Sequence, residues 1–318
     1  MPEKDQGYWA RLGAKHITLI ATHGIEHFKR TINFEYAQWA VGTWRHGFIR
    51  SLVADLAKRG RPPLGLLARY DTRDVEHVVW EANAPAELPK LRAFAAYVGL
   101  LWQLAHTRDR IGCLKLEEPR VGDPLPVSYF GRLISVDLAM CAHDLNTIAS
   151  LTDLSQVSRV LEIGAGYGRM AQVLTTLRPE VEYTIVDIPP AIAVSKYYLS
   201  RVMPNAKISF LLPQELTSLA AGSFELAFNI SSFDEMPAEF SVHYLQEIDR
   251  VVNGLLYLNG WPFSSTRGEG RLGLEELPYP ARWQQALSRR HPATPVFVEK
   301  AFRLSSCRKV AMKDPKTS

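Results

Sequence analysis

Three cysteines in 318 residues, Cys113, Cys141 and Cys307, lie far apart and are odd in number. They give neither a disulfide framework nor a zinc knuckle. Long apolar runs are also missing. The longest, Ala93 to Ala105, contains Gln103 and falls short of the roughly 20 residues a membrane-spanning helix needs. The basic excess is small, a formal +4 spread along the chain, whereas a nucleic-acid partner calls for a clustered basic face. There is no internal repeat and no low-complexity tract. The opening Met-Pro-Glu-Lys-Asp-Gln has no apolar signal-peptide core. These absences leave a cytoplasmic protein with a small-molecule ligand as the expectation, with neither membrane nor nucleic acid as partner. A composition of 47% apolar and 22% charged residues is that of a globular chain, long enough for one large domain or two small ones.

What the chain does contain is the stretch Arg159-Val-Leu-Glu-Ile-Gly-Ala-Gly-Tyr-Gly-Arg-Met170. Val160, Leu161 and Ile163 read as a buried parallel strand. Gly164, Gly166 and Gly168 then turn the backbone into a helix, the arrangement in which main chain and helix N-terminus approach a nucleotide-type ligand. A dinucleotide fingerprint, G-x-G-x-x-G, would put its third glycine at position 169, where the chain has Arg169. The pattern is instead E-x-G-x-G-x-G, with Glu162 at the strand end. A carboxylate there repels a pyrophosphate but suits a cationic ammonium and sulfonium, which points to S-adenosylmethionine (SAM). The next strand ends at Asp187, 19 residues beyond Gly168, where a doubly wound fold places the acid that accepts the ribose hydroxyls. Ile188 and Asn229 complete the candidate cofactor-binding set.

Residues 7–117 have helical periodicity, broken by Gly60-Arg-Pro-Pro63, and carry Trp39, Trp44, Trp80 and Trp102. These rings read mainly as core, with a pocket floor as the alternative. A Pro-rich connector at 118–130 is the expected boundary. It divides a helical lid or dimerisation region, 1–125, from a SAM-binding domain, 126–318, in an expected homodimer. A helix at 133–151 carries His143-Asp144, a neighbour pair that reads as two surface residues, with a catalytic His143 as the alternative. Strands at 157–163, 182–187, 207–212, 224–229 and 255–258 then alternate with helices at 168–177, 190–203 and 237–252. This implies a parallel α/β sheet of the Rossmann-like methyltransferase kind. A helix is expected at 280–290, then an antiparallel hairpin of 296–302 with 307–312, and a frayed tail at 313–318.

In such a sheet ligands lie beyond the carboxyl ends of the strands. The fourth strand ends at Asn229, and Ile230-Ser-Ser-Phe-Asp-Glu-Met236 crosses that edge. Methyl transfer to an alcohol needs an aligned nucleophile and an acceptor for its proton. Glu235 is the first candidate base and Asp234 the second, with helix capping as the bland alternative for each. His243 falls on the polar face of its helix and reads as solvated. His23-Gly-Ile-Glu-His27 matches H-x-x-E-H, a zinc-protease pattern, but Gly24 weakens a helix there and no third ligand is identifiable. No third carboxylate joins Asp234 and Glu235, so no metal is expected.

Glu162-Ile-Gly-Ala-Gly-Tyr-Gly168, Tyr183-Thr-Ile-Val-Asp-Ile-Pro189, Tyr197-Tyr-Leu-Ser200 and Asn229-Ile-Ser-Ser-Phe-Asp-Glu-Met236 together resemble the bacterial sugar O-methyltransferase family. The resemblance runs from about Ser128 to Asn259 and more weakly through the preceding helices. It implies a SAM-dependent enzyme that methylates a hydroxyl of a sugar or glycosylated natural product. Ala165 and Arg169 stand where the family often has glycine, and Asp234 where it often has glutamine. Competing readings are methylation of a non-sugar small molecule and a SAM-fold protein with a non-catalytic partner role. A base methyltransferase needs [DN]-P-P-[FYW] after the fourth strand, where this chain has Asn229-Ile-Ser-Ser232.

Overall fold

The computed structural model describes residues 6–32, 48–73, 88–264 and 270–305. Three helices come first: α1 (Gln6–His23), α2 (Phe48–Lys58) and α3 (Leu88–His106). The chain leaves α2 just before the Gly60 to Pro63 breaker. Trp39, Trp44 and Trp80 lie outside the described residues, as do Cys307–Met312 and the tail. Trp102 is buried in the core, with the Arg132 guanidinium 5.7 Å from its ring centre.

The connector is less irregular than its prolines suggest. A small antiparallel sheet joins β1 (Arg69–Tyr70), β2 (Val127–Tyr129) and β3 (Arg132–Ile134), too short to register as a periodic pattern. Helix α4 (Val136–Leu151) follows, begun by Ser135, whose hydroxyl accepts the Leu138 N–H at 3.1 Å. It is buried on nearly all sides because it packs against α3, the sheet and the first helix of the sheet domain. His143 and Asp144 are therefore both interior, not surface residues; the rule that neighbours face opposite ways fails on a helix without a solvent side.

From here strand and helix alternate as expected: β4 (Arg159–Ile163), α5 (Arg169–Leu177), β5 (Glu182–Val186), α6 (Pro189–Val202), β6 (Ile208–Leu211), β7 (Phe224–Ile230), α7 (Ala238–Val251) and β8 (Val252–Gly260). Pro189 and Pro190 open α6, where a missing N–H costs nothing. The last elements differ from expectation. Residues 284–290 form a strand, β9 (Gln284–Arg290), not a helix, and it pairs antiparallel with β10 (Val298–Leu304). The hairpin thus exists one element earlier than expected. Gln284-Gln-Ala-Leu-Ser-Arg-Arg290 has helix-forming composition, but its place at the exposed sheet edge fixes it by pairing rather than by propensity.

The seven strands run in the order β6-β5-β4-β7-β8-β10-β9. Strands β4 to β8 are parallel, and β10 is antiparallel to both its neighbours. This is an open, mostly parallel Rossmann-like sheet with an antiparallel hairpin at one edge. The chain steps outward from β4 to β6 and then restarts on the other side with β7, opening a crevice at the carboxyl ends of β4 and β7. One apolar core continues from the N-terminal helices into one face of the sheet, and a second cluster lies under α7. No helix among the described residues is long and apolar enough to cross a membrane.

Candidate active site

The glycine turn sits at that crevice. Gly164, Gly166 and Gly168 have φ of +75°, +57° and +90°, a region side chains rarely adopt. At Gly164 a Cβ would stand 2.1 Å from Ser232 Oγ, whereas at Gly166 nothing lies within 4 Å. Gly164 is glycine for packing; Gly166 exposes bare backbone to open space.

Asp187 closes the turn. Its two oxygens accept the N–H groups of Gly166 at 3.0 Å and Ile188 at 2.8 Å. Burial pushes its carboxyl up to about 6, against those N–H bonds. A carboxylate has about four acceptor sites, and the Ala165 N–H also faces this one, so capacity remains for a ligand hydroxyl. Glu162, wholly buried, takes one bond, from Tyr183 Oη at 2.6 Å. Burial raises it to about 8, and the Tyr183 bond only partly opposes this. Without a cation nearby it holds its proton at neutral pH. A positive charge placed beside it would draw it into the ionised form.

Asn229 has a different role from the cofactor contact expected of it. Its Nδ2 donates to the Ile163 carbonyl at 2.7 Å and also bonds Ser232 Oγ, while its Oδ1 accepts the Phe233 N–H at 3.2 Å. These bonds tie the end of β7 to the end of β4 beneath the glycine turn.

A cavity of about 1480 Å³ extends from Glu162, Gly164, Gly166, Asp187 and Ile188 to the 230–236 segment and on to Trp261 and Phe297. Helix α1 supplies part of its wall through Gly13, Ala14, His16 and Ile17. It rests on α6, where a Cβ on Gly13 would stand 3.2 Å from Pro190 Cγ. The H-x-x-E-H residues do not share one helix: α1 ends at His23, Gly24 turns at φ +84°, and Ile25–His27 is a separate 3-10 turn. His27 Nδ1 instead meets Asp123 Oδ2 at 2.7 Å.

Asp234 and Glu235 lie in a 3-10 turn (Phe233–Glu235), and Pro237 occupies the N-cap of α7 without a side-chain bond. Neither acid occupies the N-cap position. Both line the cavity, but differently. Glu235 is exposed. Asp234 is buried, its Oδ1 has no hydrogen-bond partner, and burial raises its carboxyl above the usual range. His243 is exposed, as expected, yet borders the cavity. His143 is buried outside the cavity wall, its ring 5.9 Å from that of His291, and desolvation holds it far below the ordinary imidazole range.

Two polar networks were not anticipated. Glu118, fully buried, accepts Lys29 Nζ at 2.5 Å, Arg169 Nη2 at 2.5 Å and Ser135 Oγ at 2.5 Å. Burial alone would raise this carboxyl, but Arg169 and Lys29 overcome it and hold it low. Arg169, where the resembled family often has glycine, thus ties the glycine turn to the N-terminal region. Tyr167 adds a 2.6 Å bond from its hydroxyl to Asp137 in the first turn of α4. The second network holds Asp144, Tyr257, Asn259, His291 and Glu299, drawn from α4, β8, β10 and the loop before β10. Nothing local in the sequence joins these segments.

No protein-family model matches the chain, and no curated protein matches it. Solved structures do resemble it. A protein from Pyrococcus horikoshii OT3 has a TM-score of 0.44 at 13% identity, covering 54% of this chain and 92% of its own. A SAM-dependent methyltransferase from Aquifex aeolicus has 0.35 at 16%, covering 46% and 81%. The mitomycin 7-O-methyltransferase has 0.38 at 15%, covering 52% and 56%. A cyclase is also among the similar structures, at 0.42 and 16% identity. Likeness at this level decides neither substrate nor reaction.

Proposed function

We propose that the protein is a SAM-dependent O-methyltransferase that acts on a hydroxyl of a small molecule, with a sugar or glycosylated natural product as acceptor. One observation carries the reading: the open backbone at Gly166, the acids Glu162 and Asp187, and the buried Asp234, whose Oδ1 has no hydrogen-bond partner, all border one cavity. The donor set fits SAM. Asp187 keeps acceptor capacity for a ribose hydroxyl, Ile188 offers an apolar edge, and Glu162 gains its charge when a cation arrives. When bound, SAM supplies an electrophilic methyl carbon.

The chain's own residues then align the acceptor and take its proton. Asp234 suits the base role better than Glu235, because it is desolvated and its Oδ1 is free. A carboxylate is a weak base for an alcohol, so the proton passes late, as the new C–O bond forms. Helix α1, which supplies part of the cavity wall, serves as a cover that keeps water out, the lid role expected of the N-terminal region. The sugar specificity rests on the resemblance of the Ser-Phe-x-Glu-Met block and Tyr197 to Ser200.

Calorimetry with SAM and S-adenosylhomocysteine tests the cofactor, with micromolar or tighter binding expected. Mass spectrometry of a hydroxylated acceptor panel should then show a single added methyl group. No binding of either nucleoside would sink the proposal.

A further inference from the structure

Lys29, Glu118 and Arg169 come from three separate segments, and all three are buried. Taking three charges out of water is expensive, and a well-packed apolar set of similar volume is often as stable. What a charged set supplies and an apolar one does not is direction. Glu118 accepts Lys29 Nζ at 2.5 Å, and both its oxygens accept Arg169 Nη2, at 2.5 and 2.6 Å. Arg169 Nη1 donates to Gln172 at 3.0 Å, and Nε donates to the Tyr167 hydroxyl at 2.9 Å. That hydroxyl donates in turn to Asp137 at 2.6 Å. Every edge of the guanidinium is thus engaged, and the phenol is held from both sides.

Tyr167 stands between Gly166 and Gly168, both at left-handed φ. Glycine on either side leaves the backbone soft, so side chains must fix it. Asp187 holds the turn through the Gly166 N–H at 3.0 Å, and Tyr167 holds it one residue further on. Tyr167, Arg169 and Asp137 border the cavity, whereas Lys29 and Glu118 do not. The series of bonds therefore leads from the cavity wall to residues outside it.

Its outer end is anchored on the segment that follows α1. The Lys29 N–H donates to the Gly122 carbonyl at 3.0 Å, and Arg30 Nε lies 2.9 Å from Asp123 Oδ2. Phe28 packs so closely on Gly122 that a Cβ there would stand 2.2 Å from its ring. The Lys29 ammonium lies 4.7 Å from the centre of the Tyr198 ring and 5.3 Å from that of Tyr167. The Phe28 and Tyr167 rings are 5.2 Å apart, centre to centre. Residues 28–30 and 118–123 dock together against the glycine turn.

Resting on the methyl-transfer reading, we infer that Lys29 and Glu118 are positioning residues for the cofactor turn, an ionic latch through which the N-terminal segment sets SAM affinity. Coupling between two sites is reciprocal, so a bound nucleoside tightens the latch in return.

The test measures S-adenosylhomocysteine binding to the full chain by calorimetry, well below each variant's Tm. Lys29→Met keeps the stem and removes the charge, while Glu118 retains Arg169. It should weaken binding about tenfold. Tyr167→Phe cuts the link between latch and turn, and in that background Lys29→Met should cost less than about twofold more. A general loosening of the fold would instead appear in full in both backgrounds. A second measurement stands even where Lys29→Met folds poorly. Hydrogen exchange of the wild-type chain with S-adenosylhomocysteine should slow about tenfold at 28–30 and 118–123, beyond any change at β9 and β10. Lys29→Met binding within about twofold of wild type, full additivity with Tyr167→Phe, or exchange at those segments unaltered by the nucleoside would overturn the inference and leave the methyl-transfer reading intact. Failure of S-adenosylhomocysteine to bind the wild-type chain would overturn both.

Discussion

The two halves of the cavity are finished to different degrees. On the side of β4 and β5, the polar groups are already engaged: Asp187 is held by two backbone N–H groups and Glu162 by Tyr183. On the side of β7 and β8, Asp234 Oδ1 and Asn259 Oδ1 are buried with no donor. The first half is a preorganised mould whose shape does not depend on a ligand. The second half holds buried acceptors whose hydrogen bonding is unmet within the protein. Nucleoside binding should therefore be insensitive to changes in the second half, and acceptor chemistry should be sensitive to them.

The largest break expected is in the mould. Gly166→Val places a branched side chain at φ +57° in the one direction left open. Calorimetry should detect no binding of S-adenosylhomocysteine, while circular dichroism keeps its α/β signature. Binding within tenfold of wild type, on the order of 1.4 kcal/mol, would place the nucleoside elsewhere. Next comes the unmet half. Asp234→Asn keeps shape and removes basicity, so kcat should fall by about 10²–10⁴-fold with nucleoside affinity unchanged. Glu235→Gln, at an exposed residue, should cost far less. If the two effects are reversed in a turnover assay, the base is Glu235, the sequence's first candidate.

The same contrast explains what could be read from the sequence. Glu162, the glycines and Asp187 lie within one β-α-β unit, so spacing alone assembles them. The opposite wall joins Asp144, Asp234 and Asn259 from three separate segments, and only the fold brings them together. Asp234 was legible because it follows a strand whose carboxyl end faces the crevice. Asn259, next to last in β8, stands one residue beyond the 255–258 run that reads as the next strand. Asp144 was hidden by its helix, which has no solvent face to set the periodicity. The composition of β9 favours helix, whereas its hydrogen bonds come from β10. The Glu118–Lys29–Arg169 triad had no signal at all, since it joins residues 140 positions apart at its extremes.

A smaller effect sharpens the mould. Asp187→Ala should weaken S-adenosylhomocysteine by about 1.5–3 kcal/mol, the range for hydrogen bonds to a charged group. The Asp187 carboxyl also orients the Gly166 N–H, so part of that loss comes from a looser turn. Asp187→Asn, which keeps one acceptor, should fall between the variant and wild type. Equal affinity in all three would move the ribose contact away from Asp187.

The subtlest prediction concerns the proton on Glu162. Its carboxyl is raised in the folded protein from 4.5 to about 8 by burial. A raised folded-state value means that protonated Glu162 contributes stability below about pH 4.5, and the contribution is lost as pH climbs toward 8. Glu162→Gln keeps an acceptor for Tyr183 and cannot ionise. Other groups titrate over this range in both proteins, so the difference in Tm between variant and wild type isolates Glu162. That difference should move in the variant's favour by about 7 °C between pH 5 and pH 8.5, at roughly 2 °C per kcal/mol. Saturating SAM reverses the logic in the wild type, because a cation beside Glu162 favours the ionised carboxylate. Binding at pH 7 should then release a proton, seen as a buffer-dependent heat in calorimetry, and Glu162→Gln should bind without that release. Parallel Tm curves together with buffer-independent heats would show that Glu162 is already ionised in the free protein.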